Sequence, residues 1–395
     1  ISGTYFPPQV GGISHFMASL CEALGPERAC CLTGVRDAAD RDGEGTTAPP
    51  VHVYRRPRAF AGPTLLQGAA WAGAVTEIML RERPDVVQLA TVAEGYLGLW
   101  LRRWLRLPYV VFAHGNEILA AEKGAWDTPR RALCEADRVV AVSRFTASIL
   151  RDRIGVDPAR LVIMHPGCDV DRFRPVTARA SVREKLLGSR TNAKVLLTVA
   201  NLVRRKGHEV VLQALPRLLA RFPDVVYLIV GEGPYRPELE RLTASLGLGD
   251  SVIFAGRIPA DELADVYALS DVFVMPSRAQ LELDDVEGFG MVYIEANACG
   301  KAVVGGRSGG IADAVVDGET GLLVAPDDPS GLAATLERLL ADSSFRHRLG
   351  AQGRARALAD FTWGGFATRL EAVLESARRD RRPSRSPRTA AHLLP

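Results

Sequence analysis

The sequence predicts an α/β chain with two doubly wound, Rossmann-like halves, and three observations carry that expectation. Short apolar runs of strand length alternate with helical stretches from about residue 28 to 175. The same rhythm restarts at Lys194, after a composition that turns polar through about Arg190. Runs such as Tyr109-Val-Val-Phe-Ala113 and Val225-Val-Tyr-Leu-Ile-Val230 are apolar throughout, as strands covered on both faces are.

The chain has 395 residues, 47% of them hydrophobic and 24% charged, enough for two ordinary cores. No run approaches the ~18 consecutive apolar residues of a membrane span. No secretory leader pattern is visible, so a cytoplasmic protein is expected. The opening at Ile1, without a Met, reads as a processed, truncated or partly sequenced start. The six cysteines lack metal or redox spacing, which argues for reduced thiols and against zinc. The net charge of +3 arises in residues 378–395, a Pro/Ser/Arg-rich stretch with six arginines and one aspartate that reads as a disordered, solvated tail. The remaining body is slightly acidic, so nucleic-acid binding is not expected.

In order along the chain, Gly11 and Gly12 form a glycine turn into an amphipathic helix that begins Ile13-Ser-His-Phe-Met-Ala-Ser-Leu20. Asp85–Leu89, Tyr109–Ala113, Arg138–Val142 and Leu161–Met164 read as buried strands. Between the first two, helical spacing sets Leu97, Trp100, Leu101, Trp104 and Leu105 on one face and Arg102, Arg103 and Arg106 elsewhere. A sheet-packing helix with an exposed basic side is favoured there over an interfacial membrane helix. His114-Gly-Asn-Glu117 directly follows the strand ending at Ala113, where such sheets collect ligands.

The second half opens with the strand Lys194–Ala200 and the basic turn Asn201-Leu-Val-Arg-Arg-Lys-Gly207, which puts Lys206 at a strand-to-helix turn as a point charge suited to phosphates. After Val225–Val230, Arg236 stands where a dinucleotide fingerprint needs its third glycine, which argues against hydride chemistry. Ser251–Ile258 is the next strand, and Asp271-Val-Phe-Val-Met-Pro276 is another, closed by a proline that cannot donate to a ladder. Beyond the central motif, Gly305–Ile311 is a glycine turn serving chain geometry. Pro329–Leu358 is helical, and a last helix runs from Phe361-Thr-Trp363 to about Ala377.

The stretch 284–300 organises the chain. Gly288, Phe289 and Gly290 fall at a helix N-terminus, where unpaired N–H groups and the macrodipole suit an oxyanion such as a phosphate. Glu287 and Glu295 lie about two turns apart on one side and can accept paired hydrogen bonds from sugar or ribose hydroxyls. A ligand with hydroxyl, phosphate and hydroxyl groups in a row is a nucleotide sugar. On spacing alone, a solvated loop glutamate and one exposed helix glutamate fit equally well.

Glu287-Gly-Phe-Gly-Met-Val-Tyr-Ile-Glu295 resembles the Glu-(seven residues)-Glu signature of retaining family 4 glycosyltransferases, which have the two-domain GT-B fold. Leu283-Asp-Asp-Val286 and Ala296-Asn-Ala-Cys-Gly300 resemble the branch containing phosphatidylinositol mannosyltransferases. The resemblance implies an acceptor-side domain over 1–175, a nucleotide-sugar domain over 176–360, a helix over 361–377 packed back on the first domain, and the tail 378–395. His165–Pro175 resembles the family's crossing segment.

It further implies catalytic roles for His114, Lys206 and Glu287. Gly11 and Gly12 would face the donor phosphates, Lys206 would grip the diphosphate with Asn201 and Arg205 beside it, and Ile258 would touch the base. Gly288, Phe289, Gly290, Met291 and Val292 would line the donor between Glu287 on the hexose and Glu295 on the ribose. The implied reaction moves a hexosyl group from a nucleotide diphosphate sugar to a hydroxyl acceptor (glycolipid, polysaccharide or small-molecule glycoside), with retention, no metal and no cofactor. Peripheral contact at the inner face of a membrane is implied as well. A nucleotide-sugar 2-epimerase and a non-catalytic nucleotide-sugar-binding protein are the alternatives. Two departures stand out: Asp313 replaces the more usual Glu, and Asn201 replaces the Arg expected five residues before the Lys. Arg204 or Arg205 is then expected to share the diphosphate charge.

Overall fold

The computed structural model describes residues 2–3, 6, 12–35, 51–57, 65–123, 128–190, 193–283 and 285–381. Gly11, Asp284 and the tail residues 382–395 lie outside the described residues.

In the first half β1 (Ser2–Gly3), β2 (Cys30–Val35), β3 (His52–Pro57), β4 (Val87–Leu89), β5 (Tyr109–Ala113), β6 (Arg138–Ala141) and β7 (Leu161–Ile163) form a parallel sheet of order β3-β2-β1-β4-β5-β6-β7. The second half repeats the scheme with β8 (Lys194–Val199), β9 (Val225–Val230), β10 (Val252–Gly256), β11 (Val272–Met275), β12 (Ala302–Gly306) and β13 (Gly321–Val324), in the order β10-β9-β8-β11-β12-β13. In each sheet the order reverses beside the first strand, which opens a crevice at the carboxyl ends of β1 and β4 and again of β8 and β11. The segment after β4, the turn Asn201–Lys206 after β8 and the segment after β11 leave from those ends, and His114 leaves from the neighbouring β5.

Three helices differ from their sequence patterns. The helix Gly95–Trp100 continues as a wider π turn over Leu101–Leu105 and ends at Arg106 in the left-handed region (φ 53°). A π turn advances the chain by a different angle per residue. Leu97 and Leu101 are therefore buried, whereas Trp104 and Leu105 are 70% and 50% exposed, and the single packed face expected through Leu105 does not form. The stretch from Pro329 divides into helices Pro329–Ala341 and Ser343–Asp360, because Asp342 leaves the helical conformation and its side chain caps the Phe345 N–H at 2.8 Å. The last helix, Trp363–Arg381, runs past Ala377 into the stretch read as disordered tail. Ion pairs from Asp380 to Arg138 (2.6 Å) and from Arg378 to Asp85 (3.3 Å) hold that extension to the first half.

This last helix starts beside the first crossing between the halves. The Cys168 N–H donates to the Phe361 carbonyl, and the Trp363 ring lies against Gly167. It then packs on the helix Gly12–Leu24, with Phe366 buried 5.5 Å from Phe16 and 6.2 Å from Phe112 between ring centroids. Among the described residues no helix is long and apolar enough to cross a membrane.

Phe366 is fully buried at this contact, so Phe366→Ala removes a large side chain from a close-packed site. A loss of about 3–5 kcal/mol is expected. Denaturant unfolding followed by circular dichroism measures it, and a midpoint equal to wild type would show that the last helix does not stabilise the first half.

Candidate active site

A buried ion pair lies at the centre of the crevice. Lys206 ends the short 3-10 turn after β8, Glu287 lies in the segment after β11, and the Lys206 ammonium donates to Glu287 Oε2. Arg205 stands beside them, its Nε 3.1 Å from Asp285 Oδ1. Burial alone would raise the pKa of Glu287, but the charges of Lys206 and Arg205, with the Lys206 hydrogen bond, bring it below the usual carboxylate value. For Lys206 burial dominates and, with the adjacent Arg205 charge, lowers the pKa against the pull of Glu287. The pair is thus an ionised carboxylate and a partly desolvated cation, both buried.

The segment carrying Glu287 fits between the halves only because positions 288 and 290 are glycines. A Cβ on Gly288 would overlap the His114 carbonyl oxygen, so the two halves touch at that point. Gly290 takes φ 91°, where a side chain is disfavoured, and a Cβ there would also meet the Tyr293 ring at 2.6 Å. From Gly290 the helix Met291–Ala298 begins, and the Met291 methyl lies 3.8 Å from where a Cβ on Gly12 would stand. Gly12 opens the helix Gly12–Leu24, so two helix N-termini, one from each half, converge on one spot. Unpaired N–H groups and aligned dipoles there favour an anion.

The structure brings His114, Lys206, Glu287, Arg205, Gly12, Gly288, Gly290 and Met291 to this crevice. The His114 ring Nε2 lies 3.0 Å from the Ala90 carbonyl and donates to it, since a carbonyl oxygen only accepts. Phe16 packs edge-on against the ring at 5.2 Å, and Glu117 accepts the His114 backbone N–H. Glu295 accepts from the Tyr267 hydroxyl at 2.7 Å. Burial raises its pKa against the lowering influence of that hydrogen bond and of the His15 and Arg172 charges.

The remaining expected donor residues pack against protein or face solvent. Phe289 is buried, stacked on His165 at 5.2 Å and near Phe361 at 5.8 Å, so its ring packs where the chain crosses between halves. Val292 and Ile258 are half-buried against the second half's core, and Asn201 is exposed. Arg204 stacks over the Tyr235 ring at 4.7 Å, so of the two adjacent arginines only Arg205 joins Lys206. Asp313 pairs with Arg144 of the first half at 2.6 Å, and Gly310 donates its N–H to the Glu287 carbonyl at 2.9 Å. The Gly305–Ile311 turn thus supports the segment from behind. The sequence carries no signal for Asn116 and Val286, which meet across the two halves.

Residues 10–172 match Glycosyltransferase Family 4 and residues 183–356 match the glycosyl transferases group 1. The chain is 35% identical over 382 residues to a GDP-mannose-dependent α-(1-6)-phosphatidylinositol monomannoside mannosyltransferase of Mycolicibacterium smegmatis, covering 95% of this chain and 98% of that one. It is 31% identical over 374 residues to a GDP-mannose-dependent monoacylated α-(1-6)-phosphatidylinositol monomannoside mannosyltransferase of Corynebacterium glutamicum, covering 94% and 96%. Among solved structures, a sucrose-phosphate synthase from Thermosynechococcus elongatus superposes with a TM-score of 0.78 at 25% identity, over 96% of this chain and 99% of that one.

Lys206→Met leaves the Glu287 carboxylate buried without its main partner, which is expected to cost about 3–5 kcal/mol at pH 7. In wild type the folded pKa of Glu287 is lowered, so its stabilisation is present above the unfolded value and is lost only as pH falls through the folded one. In the variant the folded pKa rises, so the proton taken up on acidification relieves the buried charge. The gap between wild type and variant should therefore narrow from pH 7 to pH 5. Chemical unfolding at both pH values checks this, and a gap that does not change with pH rules out the pair.

Proposed function

From the premise that this chain is a GT-B glycosyltransferase, a member of the family that joins a family 4 half to a group 1 half, we propose that it transfers a mannosyl group from GDP-mannose to an inositol-bearing glycolipid, with retention of configuration and without a metal ion. As a member it moves a glycosyl group from a nucleotide sugar to a hydroxyl acceptor. The printed names of the Mycolicibacterium and Corynebacterium relatives support the choice of donor and acceptor. The observation that carries the reading is the buried Lys206–Glu287 pair, set where two helix N-termini meet. It offers a cation to a diphosphate and a carboxylate to sugar hydroxyls within one crevice.

In the reaction the bond between the anomeric carbon and the diphosphate oxygen breaks. Lys206, Arg205 and the amides at Gly290 and Met291 take up the leaving charge. Glu287 accepts hydrogen bonds from the hexose hydroxyls, and His114 stands against the sugar near the anomeric carbon. The acceptor oxygen bonds to that carbon on the face the diphosphate leaves, and its proton passes to a departing phosphate oxygen. Glu295 holds the ribose. The lipid acceptor is met at the membrane surface by the exposed Trp104 and Leu105, with the exposed Arg103 and Arg106 beside them for anionic headgroups.

The test is incubation of the full chain with several nucleotide sugars, with and without phosphatidylinositol mannoside, read by mass spectrometry. Acceptor-dependent product from GDP-mannose, in the presence of a chelator, supports the reading. An epimerised donor, or binding without turnover, replaces it with one of the alternatives.

Glu287→Ala and Arg205→Ala should each lower transfer by at least roughly tenfold, because one orients the reacting carbon and the other takes leaving-group charge. Glu295→Ala should mainly weaken nucleotide binding, and Arg204→Ala should behave as wild type. Steady-state kinetics with nucleotide titration distinguishes them, and full activity in both Glu287→Ala and Arg205→Ala would overturn the site. Separately, Trp104→Ser should reduce flotation with anionic vesicles without changing turnover on a water-soluble acceptor. Unchanged flotation would remove this surface from the membrane contact.

A further inference from the structure

The segment that carries Glu287 is covalently part of the second half, yet the first half holds it. Gln280 and Asp285 exchange backbone hydrogen bonds at 2.8 and 3.1 Å and close a small loop, with Leu281 and Leu283 exposed at its tip. Directly after the loop, Val286 is 3% exposed and belongs to the first half's core cluster, together with Val111, Ile118 and Leu119. Asn116 opens the helix Asn116–Lys123 two residues past His114 and clasps the same segment. Its Oδ1 accepts the Val286 N–H at 2.8 Å, and its Nδ2 donates to Asp285 Oδ1 at 3.0 Å. That Asp285 oxygen also lies 3.1 Å from Arg205 Nε, so the clasp reaches the cation beside Lys206.

We propose that Asn116 is a positioning residue for transfer, whose amide ties the placement of Glu287 and Arg205 to closure of one half on the other. A carboxamide can accept from an N–H and donate to a carboxylate with one planar group. An aliphatic side chain would leave the Val286 N–H unpaired, and a carboxylate would set a like charge against Asp285. When the halves part, Val286 leaves its apolar surroundings and both hydrogen bonds break together. Glu287 is then oriented only in the closed state. The donor-side cation Lys206 belongs to the second half alone, so nucleotide can bind before the clasp forms.

The inference deepens the glycosyl-transfer reading, and the experiment separates the two. Wild type, Asn116→Ala, Asn116→Asp and the double variant Asn116→Asp/Asp285→Asn are compared with GDP-mannose and acceptor, and by small-angle scattering of the ligand-free chain. Asn116→Ala should lower kcat by roughly tenfold while KM for the donor and Kd for GDP stay within about twofold. Asn116→Asp should be lower still. The double variant should regain roughly fivefold, since the amide introduced at 285 then donates to the carboxylate at 116. Scattering reads the clasp without turnover, and Asn116→Ala should show a larger radius of gyration than wild type. Identical scattering curves overturn the proposal, as does an unchanged kcat in an active wild type, or a loss that appears equally in GDP binding. A wild type that turns over no nucleotide sugar overturns the functional reading instead, and the scattering result then decides the clasp alone.

Discussion

Two charges withdrawn from water set the terms for the rest of this molecule. Lys206 and Glu287 are both buried, and each is tolerable there only because the other is present. The pair fixes the turn after β8 against the segment after β11, the two adjacent strands at whose carboxyl ends the crevice of the second sheet opens. In the proposed reaction a diphosphate arriving at Lys206 would give the cation a new partner and free the Glu287 oxygens for sugar hydroxyls. The donor can therefore be received by exchange of partners within a site already shaped for charge.

The second constraint is room. The segment 285–290 is gripped from three sides, by His114 to Asn116 of the first half, by Gly310 of the second, and by its own helix. A side chain at 288 would drive the halves apart at the His114 carbonyl, so that glycine permits closure as much as it permits anion approach. The chain uses the same seam twice. It crosses near Gly167, returns beside it at Trp363, and sends its last helix back over Phe16 and Phe112, next to the His114 ring.

Much of this was legible in the sequence where the signal is local. β5, β9 and β11 are apolar throughout because both faces are covered, and the glycines before Met291 announce a helix start. What was not legible depends on contacts distant in sequence or on small changes in helical phase. Asn116 and Val286 meet across 170 positions, and neither residue type suggests the partner. Arg204 and Arg205 are interchangeable as letters, yet a 3-10 turn sends one over Tyr235 and the other to Asp285. Phe289 sits inside the motif, but its ring is taken up by His165 and Phe361. Trp104 and Leu105 left their expected face because a π turn broke the 3.6 period that had grouped them.

The replacement of an arginine by Asn201 acquires a physical meaning from this arrangement. Asn201 is exposed and carries no charge, while Arg205 brings a guanidinium back to the crevice already paired with Asp285. Lys206 is likewise paired with Glu287, so these four side chains cancel to zero formal charge before any donor arrives. To this neutral set the helix N-termini at Gly12 and Gly290 add a positive potential. A neutral set of side chains costs less to bury than two unpaired cations. In the proposed reaction the first grip on a diphosphate then falls to groups of the second half, Lys206 and the helix start at Gly290, before the first half closes.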